Sequence, residues 1–388
     1  MKLAILKERR AGEARVAATP DTVKRLKGLG LDVVVETGAG AGASIPDAAF
    51  EAVGASVAPD MAAAAGDADI VFKVQRPLLA EEGGLDELAA LKSGAMLVST
   101  LAPYDARDSL QSYANKGLAA FAMELMPRIT RAQSMDVLSS QSNLAGYRAV
   151  LDAATHYGRA MPMMMTAAGT VAPAKLFVMG VGVAGLQAIA TARRLGAVVS
   201  ATDVRPATKE QVKSLGANFI AVEDDEFTAA ETAGGYAKEM SADYKAKQAE
   251  LVAAHIAKQD IVITTALIPG RPAPVLINEA MVASMKPGSV IVDLAVERGG
   301  NCPLSRPGEV VVTDNGVSII GFTNIASRLA TDASALYAKN LLNFLQPLID
   351  KADTGPTLKI DWEDQIITGT CLTRDGAIVH PTFAPDAG

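Results

Sequence analysis

Short apolar runs alternate along this chain with stretches of helical period, and each switch from one pattern to the other predicts a βα unit. In the first third, runs at residues 3–6, 32–36, 70–74, 95–101 and 118–123 read as strands, with helices near 21–29 and 106–116, which predicts a parallel sheet. A second series follows at 175–179, 197–202, 219–222, 261–266, 290–295 and 317–321, and closes in a long amphipathic helix near 332–348. The 388 residues allow two or three domains, and this pattern favours two α/β domains separated by a cleft, where ligands prefer to bind. The divisions fall near 140 and 330, so that the second domain spans 139–329. The tail from about 351, with Trp362 and a strand-like stretch at 376–380, is too short for a core of its own. It is expected to return to the first domain, making that domain discontinuous, 1–138 plus 330–388.

One segment carries chemistry in structural context. The apolar run at 175–179 stops at Gly180-Val181-Gly182-Val183-Ala184-Gly185, and a helix follows at once. In such a unit Gly180 permits a tight turn, Gly182 lets a pyrophosphate approach the backbone, and Gly185 lets the helix pack on the strand. The phosphates then meet free N–H groups at the helix N-terminus. The next strand ends at Asp203, 23 residues after Gly180 (203 − 180), where a carboxylate accepts hydrogen bonds from ribose hydroxyls. Arg205 is the residue type that meets a 2′-phosphate, but Asp203 repels that group, so NAD(H) is favoured over NADP(H). A glycine-rich turn without a ligand is the competing reading. Strand, helix, acidic residue and spacing together weigh against it. The fold class expected is thus α/β with two Rossmann-like parallel-sheet domains, the first discontinuous.

Composition narrows the partners. The formal charge of −7 comes without a clustered Lys/Arg run, which leaves no footprint for nucleic acid or an anionic membrane surface. No stretch approaches the roughly 18 apolar residues of a membrane span, and the N-terminal apolar run is too short for a signal peptide, so no direct membrane insertion is expected. Cys302 and Cys371 form no C-x-x-C, which fits a reducing cytoplasm. No metal cluster is visible, and Asp293 and Glu297 read as structural. The methionines, Met163-Met164-Met165 among them, read as core filler.

Two loops stand out. Residues 126–136 concentrate Arg128, Arg131, Gln133 and Asp136 where the domains are expected to meet, and composition alone leaves a functional loop and a polar linker equally open. Residues 223–240 are long for a βα loop and carry Gly234-Gly235 beside Tyr236, which suits either a lid or an acidic insertion.

Over essentially its whole length the chain resembles the NAD(H)-binding domain I, or α1 subunit, of proton-translocating NAD(P) transhydrogenase. The likeness rests on KERR-GE-RVA at 7–17, KVQRP at 73–77, MELMPRITRAQSMD at 123–136, LSSQSNLAGYRAV at 138–150, GVGVAGLQAIATA at 180–192, TAGGYAKEM at 232–240 and TTALIPGRPAPVLI at 264–277. RITRAQSMD and AGGYAKEM are specific to transhydrogenases, whereas the N-terminal and ALIPG segments are shared with alanine dehydrogenases. The resemblance implies that Arg128, Ile129, Gln133, Asp136 and Ser139 line the nicotinamide side and that Tyr236 closes over bound nucleotide on a mobile loop with Gly235. It implies that Val181, Gly182 and the rest of the glycine turn hold the pyrophosphate, that Asp203, Val204 and Arg205 surround the adenosine ribose, and that Ala266 and Leu267 flank the adenine.

The activity so implied is direct hydride transfer between NAD(H) on this chain and NADP(H) on a partner subunit, coupled to proton translocation by membrane-spanning subunits. The chain would be a homodimer, peripheral on the cytoplasmic face of the inner membrane through those partners. Hydride transfer between nicotinamides needs no general acid or base, so the protein's work is positioning and exclusion of water. On this reading Arg128 and Asp136 orient each other, while Gln133 and Ser139 hold the carboxamide or ribose. The rival is an alanine dehydrogenase, whose substrate lysine is matched by Lys73 but whose catalytic histidine falls where this chain has Ser99-Thr100-Leu101-Ala102-Pro103. His156, His255 and His380 read as structural or solvated. An NAD(H)-binding regulatory module without turnover fits the same glycine turn.

Overall fold

The computed structural model describes residues 1–224, 226–227, 241–352 and 355–384. Most of the 223–240 loop, with Gly235 and Tyr236, therefore lies outside the described residues. The chain forms two compact units, Met1–Gln141 with Ala326–Gly388, and Ser142–Ile325, the division falling within the helix Val137–His156.

The first unit is built on an eight-stranded sheet. From one edge its order is Ala377–Ile378, Cys371–Arg374, Ala119–Ala122, Met96–Ser99, Ile70–Phe72, Lys2–Ile5, Asp32–Glu36 and Ser56–Ala58. The six strands before residue 123 pair in parallel, while the tail strand Cys371–Arg374 adds antiparallel to Ala119–Ala122. The central strands are buried in all but Lys2 at one end, as parallel strands covered on both faces must be. The helix Ala330–Leu345 returns to this unit and buries Tyr337, Leu341, Phe344 and Leu345, whose burial contributes about 1.5–3 kcal/mol per side chain. Trp362 stacks on Phe121 with Arg374 over its ring, which holds the tail.

The strand order of this sheet reverses between Lys2–Ile5 and Ile70–Phe72, and ligands of open α/β sheets bind beyond such a reversal. Here the position is filled by the chain's own ions. Lys73 Nζ is buried 3.0 Å from Glu87 and 3.4 Å from Glu8. Arg9 pairs with Glu87 and Glu36. Glu13 takes Arg15 Nη2 at 2.7 Å and Gln75 Nε2 at 2.9 Å. Tyr337 donates its hydroxyl to the carbonyls of Lys73 and Val74.

The second unit carries a seven-stranded sheet in the order Asn218–Phe219, Val198–Thr202, Lys175–Met179, Ile261–Thr264, Val290–Asp293, Ser318–Ile320 and Val310–Val312, parallel except for the last strand. One element departs from expectation. Met163, Met164 and Met165 are not core filler: they are 60%, 44% and 79% exposed, at or beside the hairpin Met164–Thr166 and Gly169–Val171. A run of three identical apolar residues has no period to tell a buried strand from an isolated hairpin, whose three-residue strands have no second layer to cover them. The loop at 126–136 leads into a helix that starts at Val137, where Asp136 caps it.

Burial resists ionisation of Glu13, yet the bonds from Arg15 hold its pKa down at about 2, against an ordinary 4.5. A carboxylate with a lowered folded-state pKa stabilises fully above its unfolded value and loses that contribution as the pH falls through the folded one. Glu13→Gln should therefore lower the melting temperature near neutrality and flatten the loss of stability between pH 4.5 and about 2. Circular dichroism melts across that range check this, and parallel acid limbs in the two proteins would refute it.

Candidate functional site

The strand order of the second sheet reverses between Lys175–Met179 and Ile261–Thr264, and the glycine turn stands at that reversal. Gly180 has φ +103°, a conformation that side chains resist, and a Cβ there would lie 2.6 Å from Thr265 Oγ1. The Thr265 hydroxyl donates to the Gly180 carbonyl at 2.9 Å, tying the two strand ends together. A Cβ on Gly185 would lie 1.9 Å from the Gly180 oxygen, so only glycine lets the helix Val183–Arg194 sit this close to the strand. At Gly182, the N-cap, a Cβ would meet nothing within 4 Å, and no side chain caps the helix. Its first N–H groups are left for an anion, with the helix dipole behind them.

Asp203 follows the strand Val198–Thr202 and closes this turn from the side. One carboxylate oxygen accepts from Val181 N at 2.7 Å and from Arg205 Nη2 at 2.9 Å. The other accepts from Arg205 N at 2.9 Å and Arg205 Nε at 2.8 Å. Asp203, Val204, Gly180 and Ala266 line a cavity of about 470 Å³, of the size usual for small-molecule sites. Arg205 pairs with Asp203 at its edge. Leu267, expected beside Ala266, is exposed and outside the lining.

Sequence reasoning did not foresee Gln248 and Tyr244, which line the cavity, nor Asn301, which holds the loop at Ala266. Gln248 accepts from Val222 N and donates to Thr202 Oγ1, and Tyr244 donates its hydroxyl to Val222 O. Burial pushes the Tyr244 phenol up to about 12, with Asp224 and Glu226 adding to it. Both sit one turn apart on the helix Ala242–Ile256. Their spacing of four was the available signal, although it marks any helix face. Fully buried Asn301 bonds both the N–H and the carbonyl of Ala266, and the carbonyl of Pro274, clamping both ends of the ALIPG loop.

The residues matched to the nicotinamide side lie in the first unit, on and beside the 3-10 helix Thr130–Met135. Asp136 accepts from Ser139 N at 3.0 Å and from the Ser139 hydroxyl, capping the helix Val137–His156. The expected Arg128–Asp136 pair is absent from the ion pairs of the described residues, and Arg128 and Gln133 are exposed. A partner three residues along a helix costs far less ordering than a long arginine. Ile129 packs against the core. Arg131 grips Asp364 through two bonds of 2.7 and 2.8 Å. Asn340, which sequence reasoning missed, donates to Ser134 O at 2.9 Å and accepts from Ser140 Oγ at 2.8 Å, anchoring the segment to Ala330–Leu345.

Other chemical candidates are bound into the structure. His255 bonds Ser200 at 2.8 Å and meets Phe177 edge-on, and burial lowers its pKa. His156 bonds the Asp152 carbonyl, and His380 that of Gly369. In the stretch Ser99-Thr100-Leu101-Ala102-Pro103 the N–H groups of Leu101 and Ala102 are held by Glu124, and Ala102 adopts φ +47°. Asp293 accepts from Ala295 N, Cys302 N and Ser305 Oγ, and Glu297 from Asn324 N. No group of three or more potential metal ligands occurs among the described residues.

The family described as "Alanine dehydrogenase/PNT" matches the chain twice, its N-terminal domain over residues 4–145 and its C-terminal domain over residues 149–381. A Rhodospirillum rubrum protein named as the first part of NAD(P) transhydrogenase subunit alpha is 64% identical over 383 residues, covering 99% of each chain. The crystal structure of transhydrogenase from Sinorhizobium meliloti superposes with a TM-score of 0.88 at 56% identity, covering 98% of this chain and 100% of that one. An alanine dehydrogenase of Mycobacterium tuberculosis is 31% identical, over 100% of this chain and 97% of its own length.

The glycines should separate by substitution. Gly185→Ala, forced against the Gly180 carbonyl, should cost about 1–3 kcal/mol of stability. Gly182→Val should leave the melting temperature nearly unchanged and weaken dinucleotide binding about tenfold or more. Thermal melts beside fluorescence titration decide this, and equal effects of the two variants on stability would contradict it.

Proposed function

The chain belongs to the alanine dehydrogenase/PNT family, among relatives named as NAD(P) transhydrogenase alpha subunits, and from that premise we propose that it binds NAD(H) and exchanges hydride directly with NADP(H) held on a partner subunit. The observation that carries this reading is the glycine turn itself, with an uncapped helix N-terminus, open space over Gly182 and a carboxylate at the ribose position. Those features fit a dinucleotide. Gly180, Val181, Gly182, Val183 and Gly185 hold the pyrophosphate through backbone N–H groups and close approach. Asp203, Val204 and Arg205 meet the adenosine ribose, and Ala266 and Leu267 the adenine.

NAD(H), when bound, supplies or accepts the hydride at its nicotinamide. The chain's residues orient and desolvate it. Arg128, Ile129, Gln133, Asp136 and Ser139 act on the nicotinamide end, with Ser139 and Asp136 already fixed to each other by hydrogen bonds. Tyr236 and Gly235 complete the enclosure. The reaction moves no proton on a heteroatom, and this accords with histidines that are all engaged structurally. On this reading coupling to proton translocation belongs to membrane-spanning partners; no described helix of this chain is long and apolar enough to cross a membrane. We place the chain as a homodimer, peripheral on the cytoplasmic face.

The dehydrogenase alternative draws on the 31% identity to an alanine dehydrogenase and on Lys73, but that ammonium is buried between Glu8 and Glu87. The deciding experiment measures hydride transfer from NADPH to an NAD⁺ analogue, with and without a separately expressed NADP(H)-binding subunit, beside an alanine-plus-NAD⁺ control. Turnover is expected only with the partner. Alanine oxidation by the lone chain would establish the dehydrogenase, and tight NADH binding with neither activity would leave a regulatory module.

A further inference from the structure

The first turn of the helix Val183–Arg194 is pressed from two directions by main chain. Gly185 faces the Gly180 carbonyl, which the Thr265 hydroxyl fixes in turn. Its neighbour Ala184 is met by the part of the helix Val137–His156 that belongs to the second unit, through the buried Gly146. A Cβ on Gly146 would lie 2.0 Å from the Ala184 carbonyl oxygen and 2.9 Å from Ala184 Cα, and main-chain atoms have no rotamer with which to yield. The two helices stay together beyond this point, since Ala149 and Ala153 share one buried core with Ala188 and Ala192. Gly146 stands 34 residues before Gly180 (180 − 146), outside the glycine turn.

From this we propose that Gly146 is a positioning residue for the pyrophosphate-binding N–H groups of the glycine turn. The proposal deepens the reading of this turn as the NAD(H) site and rests on it. The Ala184 carbonyl and the Gly185 N–H are the two ends of one planar peptide unit, so a contact that places the carbonyl also sets the direction of the N–H. The first backbone bond of the helix runs from Leu186 N to Gly182 O, which leaves the N–H groups of Val183, Ala184 and Gly185 ahead of the ladder, where an anion meets them. That peptide plane is thus held twice, by Gly146 at the Ala184 oxygen and by the Gly180 oxygen at Gly185. A methyl group on Gly146 must move the carbonyl by about 1 Å (3.0 − 2.0) to reach the shortest distance that Cβ atoms tolerate. The rigid peptide carries the movement to the donor, and a shift of that size takes an N–H···O bond out of its range of roughly 2.7–3.2 Å.

The test is equilibrium binding of NADH, ADP-ribose and adenosine to the full chain carrying Gly146→Ala. Gly158→Ala is the control, since a Cβ on Gly158 meets nothing within 4 Å. Gly146→Ala should weaken NADH and ADP-ribose about tenfold or more, and adenosine, which has no phosphate, by less than about threefold. Gly158→Ala should match the wild type for all three ligands. Equal losses for all three would make Gly146 a packing residue only and overturn the proposal, as would unchanged affinity for ADP-ribose. If Gly146→Ala does not fold, the wild-type chain carrying isotope-labelled glycine decides by magnetic resonance. Saturating ADP-ribose should shift the Gly185 amide and adenosine should not. A Gly185 amide that ignores ADP-ribose, or answers adenosine equally, overturns the proposal. Failure of the wild-type chain to bind NADH would instead overturn the reading of the site.

Discussion

The close approach of Gly185 to the Gly180 carbonyl is the constraint from which the nucleotide site follows. With a Cβ at 1.9 Å from that oxygen excluded, the helix can lie directly against the strand it follows. That placement leaves the first turn of the helix without a side-chain cap and brings Val181 N within 2.7 Å of Asp203 on the neighbouring strand. The Thr265 hydroxyl secures the same carbonyl from the other side of the strand-order reversal. Turn, dipole and carboxylate are thus consequences of one packing distance.

The two units use a similar strand order to opposite ends. In the second, the reversal is occupied by glycines and backbone, and space remains for a ligand. In the first, the chain after Lys2–Ile5 reads Lys-Glu-Arg-Arg in place of a glycine turn, and Lys73, Glu8, Glu87, Arg9, Glu13 and Arg15 fill the corresponding position. Buried ions cost several kcal/mol each to desolvate, and only mutual pairing makes the arrangement tolerable. Burial pushes the Glu8 pKa up even against Lys73, while Arg15 holds Glu13 down. A retained lysine is therefore weak support for retained chemistry.

The segment around Asp136 shows how one residue serves structure before function. Its carboxylate caps a twenty-residue helix through Ser139, and Asn340 fastens the preceding turn by the Ser134 carbonyl. Any role toward a nicotinamide is exercised from a scaffold that these bonds already hold. The Arg128 and Gln133 side chains are exposed, and Gln133 joins that scaffold through its carbonyl, which accepts from Asp136 N.

By itself the sequence determined the fold class, the glycine turn and the acidic residue after the second strand, because these are local. A period switch, a positive φ at Gly180 and a spacing of 23 residues (203 − 180) depend on neighbours along the chain. It also carried the resemblance that names the family. Tertiary structure alone decided that Lys73 is an ion-pair residue, that Asp136 turns to Ser139 and away from Arg128, and that Met163 to Met165 are exposed. It alone found Asn301, Asn340 and Gln248, which act through partners 26 to 206 residues away. Polar side chains choose among competing donors and acceptors by distance and burial, and neither quantity exists until the chain has folded.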